Sequence, residues 1–104
     1  MERLTEARRK ELTQHNFLDY VANGNFDLVK DYVDMGIEVS EGTFLVAAGS
    51  GSLKVIKYLT AKYPSIAYET YYLIVCTAAK RRHYDIVNFI NQFNNKYLKG
   101  YKYD

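Results

Sequence analysis

Cys76 and His83 are the residue types that nucleophilic catalysis uses, a thiol and the base that would activate it. They stand seven residues apart, on either side of an expected turn, and no orienting acid or oxyanion donor accompanies them. Cys76 reads more simply as a small apolar residue on an apolar helix. Asp27, Asp31 and Asp34 fall on one helix face at i, i+4 and i+7, a spacing that could hold a cation or do acid–base work. No glycine-bearing metal loop or neighbouring histidine accompanies them, and Asp27 in a first turn complements the helix dipole. They read as a solvated face. Gly49-Ser50-Gly51-Ser52 has the look of a phosphate-cradling loop, but Ser52-Leu53 stands where such a loop requires Lys-Ser/Thr. Neither catalytic residues, nor a metal set, nor a cofactor site is expected, and the chain is not expected to be an enzyme.

The remaining chemistry is cationic. Lys80-Arg81-Arg82-His83 is the one dense basic cluster, and the tail interleaves Lys96, Tyr97, Lys99, Tyr101, Lys102 and Tyr103. The charge is +4 from residue 80 onward and −3 over residues 14–79. Tyrosine beside lysine can hold single-stranded nucleic acid without base readout, so nucleic-acid binding through this region is the alternative function. A solvated C-terminus is the simpler reading, and a net charge of +2 is too small to argue for nucleic acid by itself.

These residues are positioned by a recurring pattern. Around residues 47–59, Ala47-Ala48 closes one helical pattern, a Gly/Ser turn follows, and Leu53, Ile56 and Leu59 stripe a second helix. Val55 lies beside that stripe, while Lys54 and Lys57 fall on the opposite face. A hairpin of this kind cannot bury its stripe alone. Copies occur upstream at Gly24-Asn25-Phe26-Asp27-Leu28-Val29 and downstream at Arg82-His83-Tyr84-Asp85-Ile86-Val87, offset by 27 and 31 residues. Shorter apolar segments precede each copy, at 17–22, 44–48 and 73–79. The expected unit is a short helix, a tight turn, a longer helix and a return loop.

The run Gly51-Ser52-Leu53-Lys54-Val55-Ile56-Lys57-Tyr58-Leu59 resembles the second-helix signature of ankyrin repeats, typically Gly-His-Leu-Glu-Val-Val-Lys-Leu-Leu. Met35-Gly36-Ile37-Glu38-Val39-Ser40 stands where that family has Ala-Gly-Ala-Asp-Val-Asn. Ala47-Ala48 and Ala78-Ala79 match its paired alanines, and His83 its turn histidine, which is expected to hydrogen-bond backbone. The likeness covers about residues 14–94. Thr-Pro-Leu-His is missing; Gly42-Thr43-Phe44-Leu45 and Leu73-Ile74-Val75-Cys76 stand in its place. Unit spacing falls short of the usual ~33 residues by about six and about two, which would shorten or remove the family's β-hairpin fingers.

The bulk properties fit one soluble domain: 104 residues, 48% hydrophobic and 25% charged, outside the disordered range. Eleven tyrosines suit either interface contact or helix-edge packing. One cysteine, no apolar signal-peptide core at the start and no apolar run near ~18 residues suggest a cytoplasmic protein off the membrane. Residues 2–13 read as a polar helix capping the stack or as an unstructured start; an arm built on Arg8-Arg9-Lys10 is largely neutralised by Glu6 and Glu11.

The expected fold is all-α, a short solenoid of three ankyrin-like hairpins, with residues 14–40, 41–64 and 65–94 as units between a 1–13 cap and a 95–104 tail. The expected core is Phe17, Val21, Phe26, Val29, Phe44, Leu53, Ile56, Leu59, Val75, Ala79, Ile86, Val87 and Ile90. The resemblance implies a protein-binding module, acting as an inhibitor or decoy if occupancy of the partner is its whole effect. Carried over by match, its contact positions are Gln14, Ala22, Asn23, Glu41, Gly49, Ser50, Glu69, Thr70, Tyr72, Lys80 and Arg81. Tyr72, Lys80 and Arg81 lead, because tyrosine and arginine dominate interface energetics.

Overall fold

The computed structural model describes residues 14–97, and side chains from residue 15 to residue 92. The polar segment 2–13 with Arg8-Arg9-Lys10, and the tail from 98 with Lys99, Tyr101, Lys102 and Tyr103, lie outside the described residues, as do the side chains of Lys96 and Tyr97. The described residues form six helices and no strand: α1 Gln14–Ala22, α2 Phe26–Asp34, α3 Glu41–Ser50, α4 Leu53–Lys62, α5 Tyr68–Lys80 and α6 Tyr84–Tyr97. None of them is long and apolar enough to cross a membrane.

Helices of a pair are nearly equal in length, at 9 and 9, 10 and 10, then 13 and 14 residues. The expected short–long alternation is absent because the first helix of each pair opens on a polar turn. Gln14-His15-Asn16, Glu41-Gly42-Thr43 and Tyr68-Glu69-Thr70 precede the apolar residues that made these segments look short. Glu41 and Glu69 put a carboxylate at the positive end of α3 and α5. The backbone N–H of Ser40 donates to Thr43 Oγ1 at 3.2 Å and helps to fix the start of α3. Pro64 follows the end of α4 and stops it, as the restriction on the residue before proline requires.

Each pair closes in the same way. Gly24, Gly51 and Arg82 hold φ of 69°, 77° and 64°, one just beyond each first helix. In each turn the next two N–H groups fold back on the helix. Gly24 and Asn25 donate to the carbonyls of Val21 and Tyr20, Gly51 and Ser52 to those of Ala48 and Ala47, Arg82 and His83 to those of Ala79 and Ala78. This is the Schellman closure, which satisfies carbonyls the helix end would leave orphaned and reverses the chain within two or three residues.

Layers follow from the packing. α1 packs on α2, α3 on α4 and α5 on α6; α1, α3 and α5 form one row, and α2, α4 and α6 a second. Between the rows lie Phe17, Val21, Val29, Phe44, Ile56, Leu59, Ile86 and Ile90, all buried as expected. Phe26, Leu53, Val75 and Val87 are only half-buried against that core. Ala79 is exposed, contrary to expectation. The buried line of α5 is Tyr71, Ile74 and Ala78, one residue out of phase with Val75 and Ala79. The run 71–79 is apolar nearly all round, so its pattern carries no phase information. Val55, rather than Leu53, lies beside Ile56 and Leu59 in the centre of α4. Tyr32 joins the core by stacking on Phe17 at 6.1 Å and meeting Tyr20 edge-on at 5.5 Å.

Polar side chains tie successive pairs together. Ser52 Oγ donates to the carbonyl of Val21 at 3.3 Å. His83 Nε2–H donates to that of Gly49 at 3.2 Å, so the turn histidine does bond backbone. A Cβ on Gly51 would stand 2.7 Å from the His83 ring, so this turn must be glycine both for its φ and for its neighbour. Thr70 Oγ1 donates to Glu41 Oε2 at 3.1 Å, and the Tyr71 hydroxyl donates to the carbonyl of Pro64 at 3.0 Å.

Two outcomes follow. Gly51→Ala should cost about 1–3 kcal/mol, whereas Arg82→Gly, which removes a left-handed arginine, should stabilise by up to ~1 kcal/mol. Urea unfolding of both variants checks the opposite signs. Burial pushes the Tyr71 phenol up to about 12 from 10.0, so the folded state holds its proton where the unfolded chain has lost it. The corresponding stability is complete below pH ~10 and falls as pH rises from about 10 to about 12, by ~3 kcal/mol. In Tyr71→Phe that part of the alkaline loss should vanish in pH-dependent unfolding.

Candidate functional site

On the α1–α3–α5 row, α3 carries Leu45, Val46, Gly49 and Ser50 beside α5, with Leu45 and Val46 half-buried against the edge of the core. Leu45 and Gly49, like Val46 and Ser50, are one turn apart and share a face. On α5, Thr77 and Arg81 hold the same i,i+4 relation. Between the two helices these six residues enclose an open depression of about 400 Å³. Its floor is apolar, from Leu45, Val46 and the Thr77 methyl. Gly49 lets α3 and α5 approach closely there, since a Cβ on it would already touch Thr77 Cγ2 at an ordinary 3.5 Å. Arg81 stands on the rim, exposed.

Of the expected contact positions, Gly49, Ser50 and Arg81 meet in this depression. Lys80 is exposed next to Arg81 at the end of α5. Ala22 and Asn23 are exposed at the closing turn of the first pair, away from the depression. Gln14 opens α1, and its side chain lies outside the described residues. Glu41 and Glu69 are exposed in the first turns of α3 and α5, at the opposite end of these helices from Arg81. Thr70 does not belong with the surface set: it is 5% exposed and its hydroxyl serves Glu41 across the α3–α5 contact. Tyr72 is 44% exposed, but it does not line the depression. Its phenol is held above the ordinary tyrosine value, chiefly by a hydrogen bond with Cys76 one turn along. Cys76 is half-buried rather than fully buried. Thus Cys76 meets Tyr72, while His83 is occupied by Gly49.

Leu45, Val46 and Thr77 were missed by matching single positions. Stepping back one helical turn from Gly49, Ser50 and Arg81 would have found them.

The Gly-Ser-Gly-Ser run is built into the turn and not free for a phosphate. The N–H groups of Gly51 and Ser52 are consumed by Ala48 and Ala47. Ser50 Oγ donates back to the carbonyl of Val46 at 2.9 Å and lies 3.1 Å from Ser52 Oγ. On the α2–α4–α6 row three lysines lie against aromatic rings: Lys54 and Lys30 over Phe26 at 4.7 and 5.2 Å, and Lys57 over Phe89 at 5.7 Å. A Phe26–Tyr58 edge contact at 5.6 Å completes that surface. Asp27 and Asp34 of α2 are exposed and Asp31 half-buried; no group of three or more metal-ligating side chains occurs among the described residues.

Comparison with protein-family models, with curated proteins and with solved structures finds no match for this chain.

Proposed function

We propose that the chain is a small ankyrin-like interaction module, a short solenoid of three hairpins that binds another protein through the α1–α3–α5 surface. The observation that carries this reading is the α3–α5 depression, where three expected contact residues from two different hairpins converge on an apolar floor. The repeated architecture supports it. Left-handed closures at 24, 51 and 82, each first helix against the next and each second helix against the next, are what a stack of like units would produce. The connections at 35–40 and 63–67 are short and contain no strand, in keeping with absent fingers and a binding surface made of helices and turns. Acting by occupancy, such a module would work as an inhibitor or decoy that covers a surface of its partner.

A side chain placed at Gly49 tests this, because the residue lines the depression, lies within a helix, and would bring a Cβ only to an ordinary 3.5 Å contact with Thr77. Proteins captured from the native cell by the wild-type chain are identified by mass spectrometry, then purified and titrated against wild type, Gly49→Leu and Lys80→Glu/Arg81→Glu. A partner bound by the wild type and weakened at least tenfold, about 1.4 kcal/mol, by both variants at unchanged melting temperature supports the module. A partner set indifferent to both variants refutes this surface as the binding face.

A further inference from the structure

We propose that the depression between α3 and α5 receives an apolar side chain that neighbours an aspartate or glutamate in a segment of the partner protein. This rests on the protein-binding reading above and specifies the partner's chemistry. The floor is apolar, from Leu45, Val46 and Thr77, all only half-buried, so an entering apolar group would take their remaining surface out of water. What selects among apolar partners is the rim.

Lys80, Arg81 and Arg82 are consecutive and exposed, and among the described residues no carboxylate forms a salt bridge with any of them. The carboxylates on the same two helices, Glu41 and Glu69, lie eight residues from Gly49 and Thr77 respectively. That is ~12 Å along each axis, beyond the screening length of about 8 Å at physiological salt. Asp85, the next acid in the chain, stands in the first turn of α6, where its Oδ1 accepts the Ile86 N–H at 2.8 Å.

The ends of α3 and α5 oppose an anion, since each helix C-terminus carries roughly half a negative charge. Two such ends amount to about −1 and Asp85 to one more against the three full cations at and beside Arg81, so this corner stays positive by about +1. Those ends are also partly used, because the carbonyls of Ala47, Ala48, Ala78 and Ala79 already accept N–H groups of the closing turns. An exposed guanidinium beside an apolar recess suits a carboxylate, which it can grip with two parallel N–H donors while the adjacent side chain is buried.

The test uses the full chain and a random twelve-residue peptide library displayed on phage. Peptides that survive selection are synthesised with a fluorophore and titrated by anisotropy against wild type, Arg81→Glu and Gly49→Leu, each checked for unchanged thermal unfolding. The expected result is enrichment of peptides pairing a large apolar residue with Asp or Glu. Their affinity should fall about tenfold in Arg81→Glu, decline with added salt, and be lost in Gly49→Leu. Peptides lost in Gly49→Leu but lacking an acid, or indifferent to Arg81→Glu, would overturn the acidic specificity and leave the module reading standing. A library yielding no peptide sensitive to Gly49→Leu would overturn this proposal, while the module reading falls only if the captured protein partners are indifferent to the variants as well. Displacement of bound peptide by a single-stranded oligonucleotide, lost in Arg81→Glu, would instead assign the rim to nucleic-acid phosphates and contradict the proposal.

Discussion

A helix in water can end in many ways, but a helix that must hand the chain straight back to an antiparallel partner has few. The first helix of each pair here ends on a residue in the left-handed region, and the following N–H groups return to the last turn. Because the reversal takes so few residues, the second helix lies directly against the first. The turn itself is then compact enough to meet the turn of the next pair. Gly24 lies against Ser52, and Gly51 against His83, with hydrogen bonds from Ser52 and His83 reaching back to the preceding first helix. Without that backbone conformation the row of turns would open, and the helices it aligns would lose their register.

Alignment of the first helices is also what makes a surface. Side chains one turn apart on α3 line up beside side chains one turn apart on α5. A glycine between them lets the two helices approach closely. Lys80, Arg81 and Arg82 gather at the end of α5 because a helix C-terminus favours cations, and they exceed in charge what that end supplies. The second row is different in kind: Lys30, Lys54 and Lys57 rest on Phe26 and Phe89, and part of their charge is committed to the rings.

Much of this was legible in the residues. Glycines at 24 and 51 mark two of the three turns outright, and the Leu/Ile spacing of α4 and α6 gives helices with buried faces. Arg82 hides the third turn, since arginine carries no signature of positive φ; only its register with Gly24 and Gly51 betrays it. The phase of α5 was not legible, because Tyr71 through Ala79 is apolar on every side and only packing against α3 and α6 selects Ile74 and Ala78 over Val75 and Ala79. Thr70 looked like a surface residue, as threonines usually are, but its hydroxyl found Glu41 across the helix contact. The depression was half visible: Gly49, Ser50 and Arg81 could be picked by position, whereas its floor depends on two helices that are far apart in sequence coming side by side.

The most direct measurement is a nuclear Overhauser spectrum of the isotopically labelled chain. The account predicts cross-peaks from the His83 ring protons to the α-protons of Gly51, and from the Thr77 methyl to the α-protons of Gly49, with slow exchange of the Ser52 and His83 amide protons. Absence of both sets of cross-peaks in a folded, helical sample, with those amides exchanging freely, would contradict the packing of one hairpin turn against the next.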